Sequence, residues 1–394
     1  MDSQLIRPIS LAEIKAALAE HAGYLGGRRG AKRANFAYCD LSRFNLDGAD
    51  LRRAEMTGAR MEAACAAEAR LDEAVLFGAD LRDVDLRRAS LRDTDLRGAC
   101  LRGANLSEAD LTGCDMREGV IALQSMRDGF RVLRPEAGGA AVDYVITKGA
   151  VNDEAAVLTD LSDAVLTGAC LIKARLVNAL LDRADLTGAS LSQAQMSGVS
   201  LRQAVVAGAD LSAADLTDAD LSHVLKSPPA LVYVDDMPLH ELVAQHAQWC
   251  ATGGKQGRLQ PMPEIDFRPL RSLAGRELTG LRAPRSIFFG MDLRGAQLQG
   301  SDLTGADFRK ADMREVDLRG AKLVGATFAR ADLREARLGP LLLTGDRLAR
   351  TDMTRADLRW ADVRGATAHR TRLLEARLDG AQIAGFDDKD AERD

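Results

Sequence analysis

Met291-Asp292-Leu293-Arg294-Gly295-Ala296-Gln297-Leu298-Gln299-Gly300-Ser301-Asp302-Leu303 is the stretch whose reading decides the fold. It carries a beat of five. Every fifth residue is apolar from Leu293 through Leu298, Leu303, Phe308, Met313 and Leu318 to Leu378 and Ile383. Two positions earlier the side chain is small, as at Ala296, Ala306, Ala311 and Ala321. On an α-helix, steps of five advance about 500° and scatter the leucines round the surface. On a flat strand an odd step alternates faces, so half would meet water. All can face inward only if the chain turns a corner in each pentad. Gly295, Gly305, Gly320 and Gly325 sit at the last pentad position, where a turn needs positive φ. Phe288, Phe308 and Phe328 recur at twenty, so four pentads per coil would pile them in one interior row.

The unit Ala-Asp-Leu-Xaa-Xaa, as at Ala49-Asp50-Leu51 and Ala109-Asp110-Leu111, resembles the pentapeptide-repeat family. That resemblance implies an all-β solenoid, a right-handed quadrilateral β-helix. Its central Leu or Phe and the preceding small residue point inward, and the other three positions face water. The motif names a fold better than a function.

Outward from the opening stretch, the chain reads as two tubes, each preceded by a short α-helical cap. Residues 1–33 are a loose lead-in and the first cap helix, with Ser10 and Glu13 as a capping box and Leu11, Ile14 and Leu18 on one face. Residues 34–225 form the first tube, with Ala66 undersized enough to predict a bulge. The beat fails at about 120–157. There, strand-like segments around Asp128-Gly129 predict a hairpin-like insertion that returns in register. Residues 226–290 are a linker with a second cap helix at about 238–252, in which His246 echoes His21. Residues 291–386 are the second tube, with Leu343 and Leu348 among its inward leucines, and 387–394 a disordered tail. No helix follows the last coil, which is therefore a candidate for homodimer formation.

Apolar residues make up 46% of the 394 and aromatics 4%, so the core is Leu and Ala. The net charge of −5 argues against a direct nucleic-acid binder. No apolar run reaches membrane length. Six cysteines without a Cys-x-x-Cys pair read as free thiols of a reducing cytoplasm. The five histidines fit no metal pattern, and no nucleophile elbow, phosphate loop or dinucleotide fingerprint occurs. Neither catalytic residues nor a cofactor or metal site are expected.

The expected function is a non-catalytic scaffold for an unknown protein partner. Candidate contacts are Arg127, Asp128, Phe130 and Arg131 in the insertion, since loops on rigid scaffolds often carry function. Asp292, Asp312, Asp332 and Asp352 are further candidates, because a twenty-residue coil would align them in one row. Arg294, Arg314 and Arg334 beside them predict a salt-bridged ladder. The alternative follows from the resemblance: some members mimic DNA and protect DNA gyrase or topoisomerase IV from quinolones or toxins. A mimic needs unneutralised acid. Residues 1–225 carry net −7 and residues 226–394 net +2, which favours the scaffold.

Overall fold

The computed structural model describes residues 6–118, 121–125, 129–135, 144–148, 158–343 and 347–393. The chain forms two compact units, Met1–Ser227 and Pro228–Asp394.

In both units the pentad is the building block. In each, the N–H of the small residue bonds the carbonyl of the preceding central residue, as from Ala296 to Leu293 at 3.1 Å. The residue just before the small one takes positive φ. Gly295 lies at +62°, but so do Lys310 at +57°, Arg330 at +61° and Glu335 at +59°. The corner demands the left-handed conformation whatever the residue; glycine only lowers its cost.

Parallel bridges then join each pentad to the one twenty residues on: Asn35 to Glu55, Glu55 to Val75, Val75 to Asp95. Four pentads therefore make one coil, consistent with a β-helix. The central N–H donates to the following coil, as Leu41 to the Arg60 carbonyl at 2.6 Å, and Arg60 N–H returns to Cys39 at 3.0 Å. Leu and Ala fill the lumen; Leu293, Leu303, Ala296 and Ala306 have no exposure. The phenylalanines pile as expected, with centroid separations of 4.8 Å for Phe288–Phe308 and 5.1 Å for Phe308–Phe328. Phe267 extends the pile at 4.5 Å from Phe288.

Helix α1, Leu11–Leu25, begins with the predicted capping box. Ile14 joins the lumen core, and buried His21 accepts the Ala34 N–H on Nδ1 at 3.0 Å. Helix α2, Leu239–Ala251, covers the start of the second core with Leu239, Leu242 and Val243. Buried His246 donates from Nε2 to the Thr279 carbonyl at 3.2 Å.

Several expectations are corrected. The lead-in is held: strand β1, Arg7–Pro8, pairs in parallel with β2, Cys39–Asp40. Ala66 is fully buried in a regular coil, its N–H 2.8 Å from the Asp85 carbonyl, so no bulge forms. The insertion contains three antiparallel strands, β3 (Ile121–Ser125), β4 (Gly129–Pro135) and β5 (Tyr144–Lys148), in the order β3-β4-β5. Ahead of α2, β6 (Tyr233–Val234) and β7 (Met237–Pro238) pair antiparallel. The second tube starts before residue 291, since Asp266 already bridges Ile287. The short turn Arg268–Leu270 adds one residue there, which hides Phe267 from a strict count of twenty. The charged tail is engaged too, with Thr367 bridged to Asp387 and Arg372 to Glu392.

The largest correction lies at 340–350. Lys322 bridges Asp352, thirty residues on rather than twenty. The intervening chain leaves the coil as β8 (Leu341–Leu342) paired with β9 (Leu348–Ala349). Leu343 and Leu348 keep the beat but are 44% and 47% exposed.

Candidate interaction surface

The outer wall is set by the triplet Asp-Leu-Arg. The central Leu points in, so the flanking Asp and Arg both point out and meet. Arg294 donates from Nε to Asp292 Oδ1 and from Nη2 to Oδ2, both at 2.8 Å. Asp312–Arg314, Asp332–Arg334 and Asp362–Arg364 repeat the fork. The first three arginines also lean toward the next coil, with Arg294 Nε 3.6 Å from Asp312, Arg314 Nε 3.7 Å from Asp332 and Arg334 Nε 3.6 Å from Asp362. The Arg294 fork holds the Asp292 carboxyl well below the usual range, and the Arg314 fork lowers Asp312. The first unit uses the same fork at Asp50–Arg52, Asp85–Arg87, Asp95–Arg97 and Asp115–Arg117. Asp292 and Asp312 are therefore ionised, and the forks neutralise the rows internally. Exposed pairs of this kind contribute little stability.

The excursion at 340–350 rearranges the predicted row. Asp292, Asp312 and Asp332 stack as expected, but the next member is Asp362. Asp352 lies in another row, between Lys322 and Arg372, and accepts from the Thr354 N–H and hydroxyl. Ten residues, the length of two pentads, loop out of the coil, so every later pentad falls two rows from where an unbroken count of twenty would put it. Of the insertion candidates, Phe130 and Arg131 lie on β4 in register with Gln124 and Leu123. Arg127 and Asp128 lie outside the described residues.

Two buried threonines that close the excursions escape a reading of the beat. Thr159 and Thr351 are fully buried at the points where the chain re-enters the coil. Thr351 Oγ1 accepts the Gly320 N–H at 2.8 Å and lies 2.7 Å from the Gly339 carbonyl and 3.1 Å from that of Leu318. Thr159 Oγ1 does the same for Gly98 N–H, Arg117 and Leu96. A hydroxyl at the small position just after a break in the beat is the signal that could have found them.

Little here resembles an active site. Burial pushes the Cys100 thiol up to about 12 and Cys114 higher still, which opposes a nucleophilic role near neutral pH. Among the described residues no group of His, Cys, Asp and Glu could hold a metal ion. Among them, too, no helix is long and apolar enough to cross a membrane.

Coils of four pentads with a Leu lumen and a forked Asp–Arg wall define a repeat protein of a particular kind. The family profile described as Pentapeptide repeats matches within residues 32–117, 159–224, 292–339 and 347–387. The chain belongs to that family. Among solved structures it is similar to HetL, a pentapeptide repeat protein involved in heterocyst differentiation regulation from the cyanobacterium Nostoc sp. strain PCC 7120. Identity is 22%, over 98% of this chain and 94% of HetL, with a TM-score of 0.22. Full-length QnrB1, a plasmid-mediated fluoroquinolone resistance protein, is 14% identical over 81% of this chain and 91% of its own, with a TM-score of 0.11. Rfr23 from the cyanobacterium Cyanothece 51142 is 17% identical over 54% and 99%, with a TM-score of 0.16. Superpositions this poor carry no argument; the fold rests on the repeats and the bridges. No curated protein matches the chain.

Proposed function

We propose that the chain is a non-catalytic, cytoplasmic scaffold that binds another protein. In this reading both units are right-handed quadrilateral β-helices, each started by its own cap helix. The observation that carries it is the forked wall. A rigid, regular face whose charges neutralise one another presents shape and hydrogen-bonding groups but no reactive centre. The three-stranded insertion supplies a second surface, with Phe130 and Arg131, together with Arg127 and Asp128 of the same sequence segment, as its candidate contacts. An affinity pull-down from the native host is the test. Deleting residues 121–157 should remove partners, and an unchanged partner list would retire the insertion as a contact.

Topoisomerase protection by DNA mimicry is the second reading, favoured by the stacking of Asp292, Asp312 and Asp332 in one row. The Arg forks weigh against it, because duplex phosphates are not so neutralised. A gyrase supercoiling assay with and without a quinolone separates the two: neither protection nor inhibition would remove the mimic. The last coil of the second unit leaves Ile383 58% exposed, which supports a homodimer through that end. A monomeric mass in solution would retire it.

A further inference from the structure

The first unit also ends in an open coil, residues 206–225. In the coils before it, central N–H groups donate onward, as Leu191 does to Asp210 and Leu201 to Asp220. Those of Leu211, Leu216 and Leu221 have no acceptor among the described residues. Leu191 and Leu201 have no exposure, whereas Leu211 and Leu216 are half-buried and Leu221 is 46% exposed. The lumen therefore opens to an apolar face at this end.

The rim of that face is acidic. Residues 206–225 contain Asp210, Asp215, Asp218 and Asp220 but no Lys or Arg; Lys226 is the first cation after them. Upstream, an outward Asp is commonly followed by a forking Arg. Here that position holds Ser212, Thr217 and Ser222. Asp210 accepts the Ser212 N–H at 2.9 Å, Asp215 that of Thr217 at 3.1 Å, and Asp220 that of Ser222 at 3.0 Å. These bonds hold the carboxylates ionised without cancelling their charge. Arg202 lies 3.9 Å from Asp220 and is already bonded to Asp182.

The molecule twice shows what covers an open lumen. At the start of each core an amphipathic helix lies over it: α1 with Ile14, Ala17 and Leu18, α2 with Leu239, Leu242 and Val243. We infer that the open end of the first unit docks an amphipathic helix of a partner protein, flanked by Lys or Arg. A second copy of the same end would set Asp against Asp, so charge complementarity selects a cationic partner. The inference deepens the scaffold reading and fails separately from it, since a pull-down through another face would stand without it.

The test uses the full chain and two labelled helical peptides with the same Leu face, one flanked by Lys and one by Glu. Fluorescence anisotropy should show binding of the Lys peptide alone. Raising salt to about 0.5 M should weaken it severalfold. The variant D210N/D215N/D220N should weaken it about tenfold. Asn is chosen because Asn105 already fills the same position, accepting from the Ser107 N–H and hydroxyl. Amide exchange should show protection of 206–225. No binding of the Lys peptide, equal binding of both peptides, indifference to the triple substitution, or protection confined to 373–393 would each overturn the inference. So would a dimer abolished by Leu221→Arg, which would make the occupant a second copy.

Discussion

Phe288 and Phe308 lie ring over ring, 4.8 Å apart and only 11° from parallel, twenty residues apart in the chain. The contact exists because the coil repeats at four pentads. Phe308 is fully buried, with Phe328 on its other side. Phe308→Ala would remove both ring contacts and leave a cavity that the stacked coils cannot collapse. We expect a loss of about 3–5 kcal/mol, with Phe308→Leu costing less. Urea unfolding of the two variants checks this; equal and small losses would mean the pile is not a packed column.

The excursion at 340–350 predicts a contrast between residues of identical type and phase. Leu338 is fully buried and Leu343 is 44% exposed. Leu338→Ala should cost about 2–5 kcal/mol. Leu343→Ser should stay within about 0.5 kcal/mol. Similar costs for both, measured by the same denaturation, would place Leu343 back in the lumen.

Thr351 closes that excursion with its hydroxyl, and Thr159 closes the larger one. Thr351→Val keeps the shape but leaves the Gly320 N–H without its threonine hydroxyl. The Gly320 N–H keeps the Gly339 carbonyl at 3.2 Å, so a loss of about 0.5–1.5 kcal/mol is expected, and Thr351→Ser should recover most of it. Amide exchange at Gly320 should rise in the valine variant only. The same pair of substitutions at Thr159 should act on Gly98.

His21 on α1 and His246 on α2 are expected to make docking of their helices pH-dependent. Burial lowers the pKa of His21 below its ordinary 6.5, against the Arg52 carbonyl and Asp50, which pull it up; Arg33 and Arg52 add to the lowering. Burial likewise lowers His246, opposed by the Thr279 and Leu278 carbonyls. In both cases the unfolded chain takes up the proton first. The stabilisation is complete above about pH 6.5 and is lost as pH falls through the folded value. His21 should respond more, because its Nδ1 must stay unprotonated to accept the Ala34 N–H. His246 uses Nε2 as a donor and keeps that bond when charged. The protection of α1 and Ala34 amides, taken relative to their intrinsic exchange rates at each pH, should therefore fall between about pH 7.5 and pH 5, and more than that of α2. Unchanged protection of α1 would refute the clamp.

How much was legible depends on what a period can report. The beat placed Leu293, Ala296 and Phe308 in the lumen, because only one folding of the chain sends every fifth side chain the same way. It also anticipated the Asp292–Arg294 fork, since neighbours on either side of an inward residue must both face out. The three-stranded pairing of β3, β4 and β5 was beyond it, as short apolar runs do not declare their partners. The acid run Asp210, Asp215, Asp218 and Asp220 is plain in the sequence, but not that the leucines beside it lie half-buried or exposed, which depends on the absence of a following coil.

The sequence by itself determined the side of the wall on which each repeat residue lies, because that choice is local: one turn, one inward Leu, one left-handed corner. Tertiary structure alone decided which coil rests on which. Each excursion adds a multiple of five to the twenty-residue step, since Cys100 bridges Asp160, sixty residues on, and Lys322 bridges Asp352, thirty on, so the phase of the leucines survives them unchanged. Whether Asp332 stacks on Asp352 or on Asp362 is then settled by backbone bonds between distant coils, which periodicity within the chain does not record.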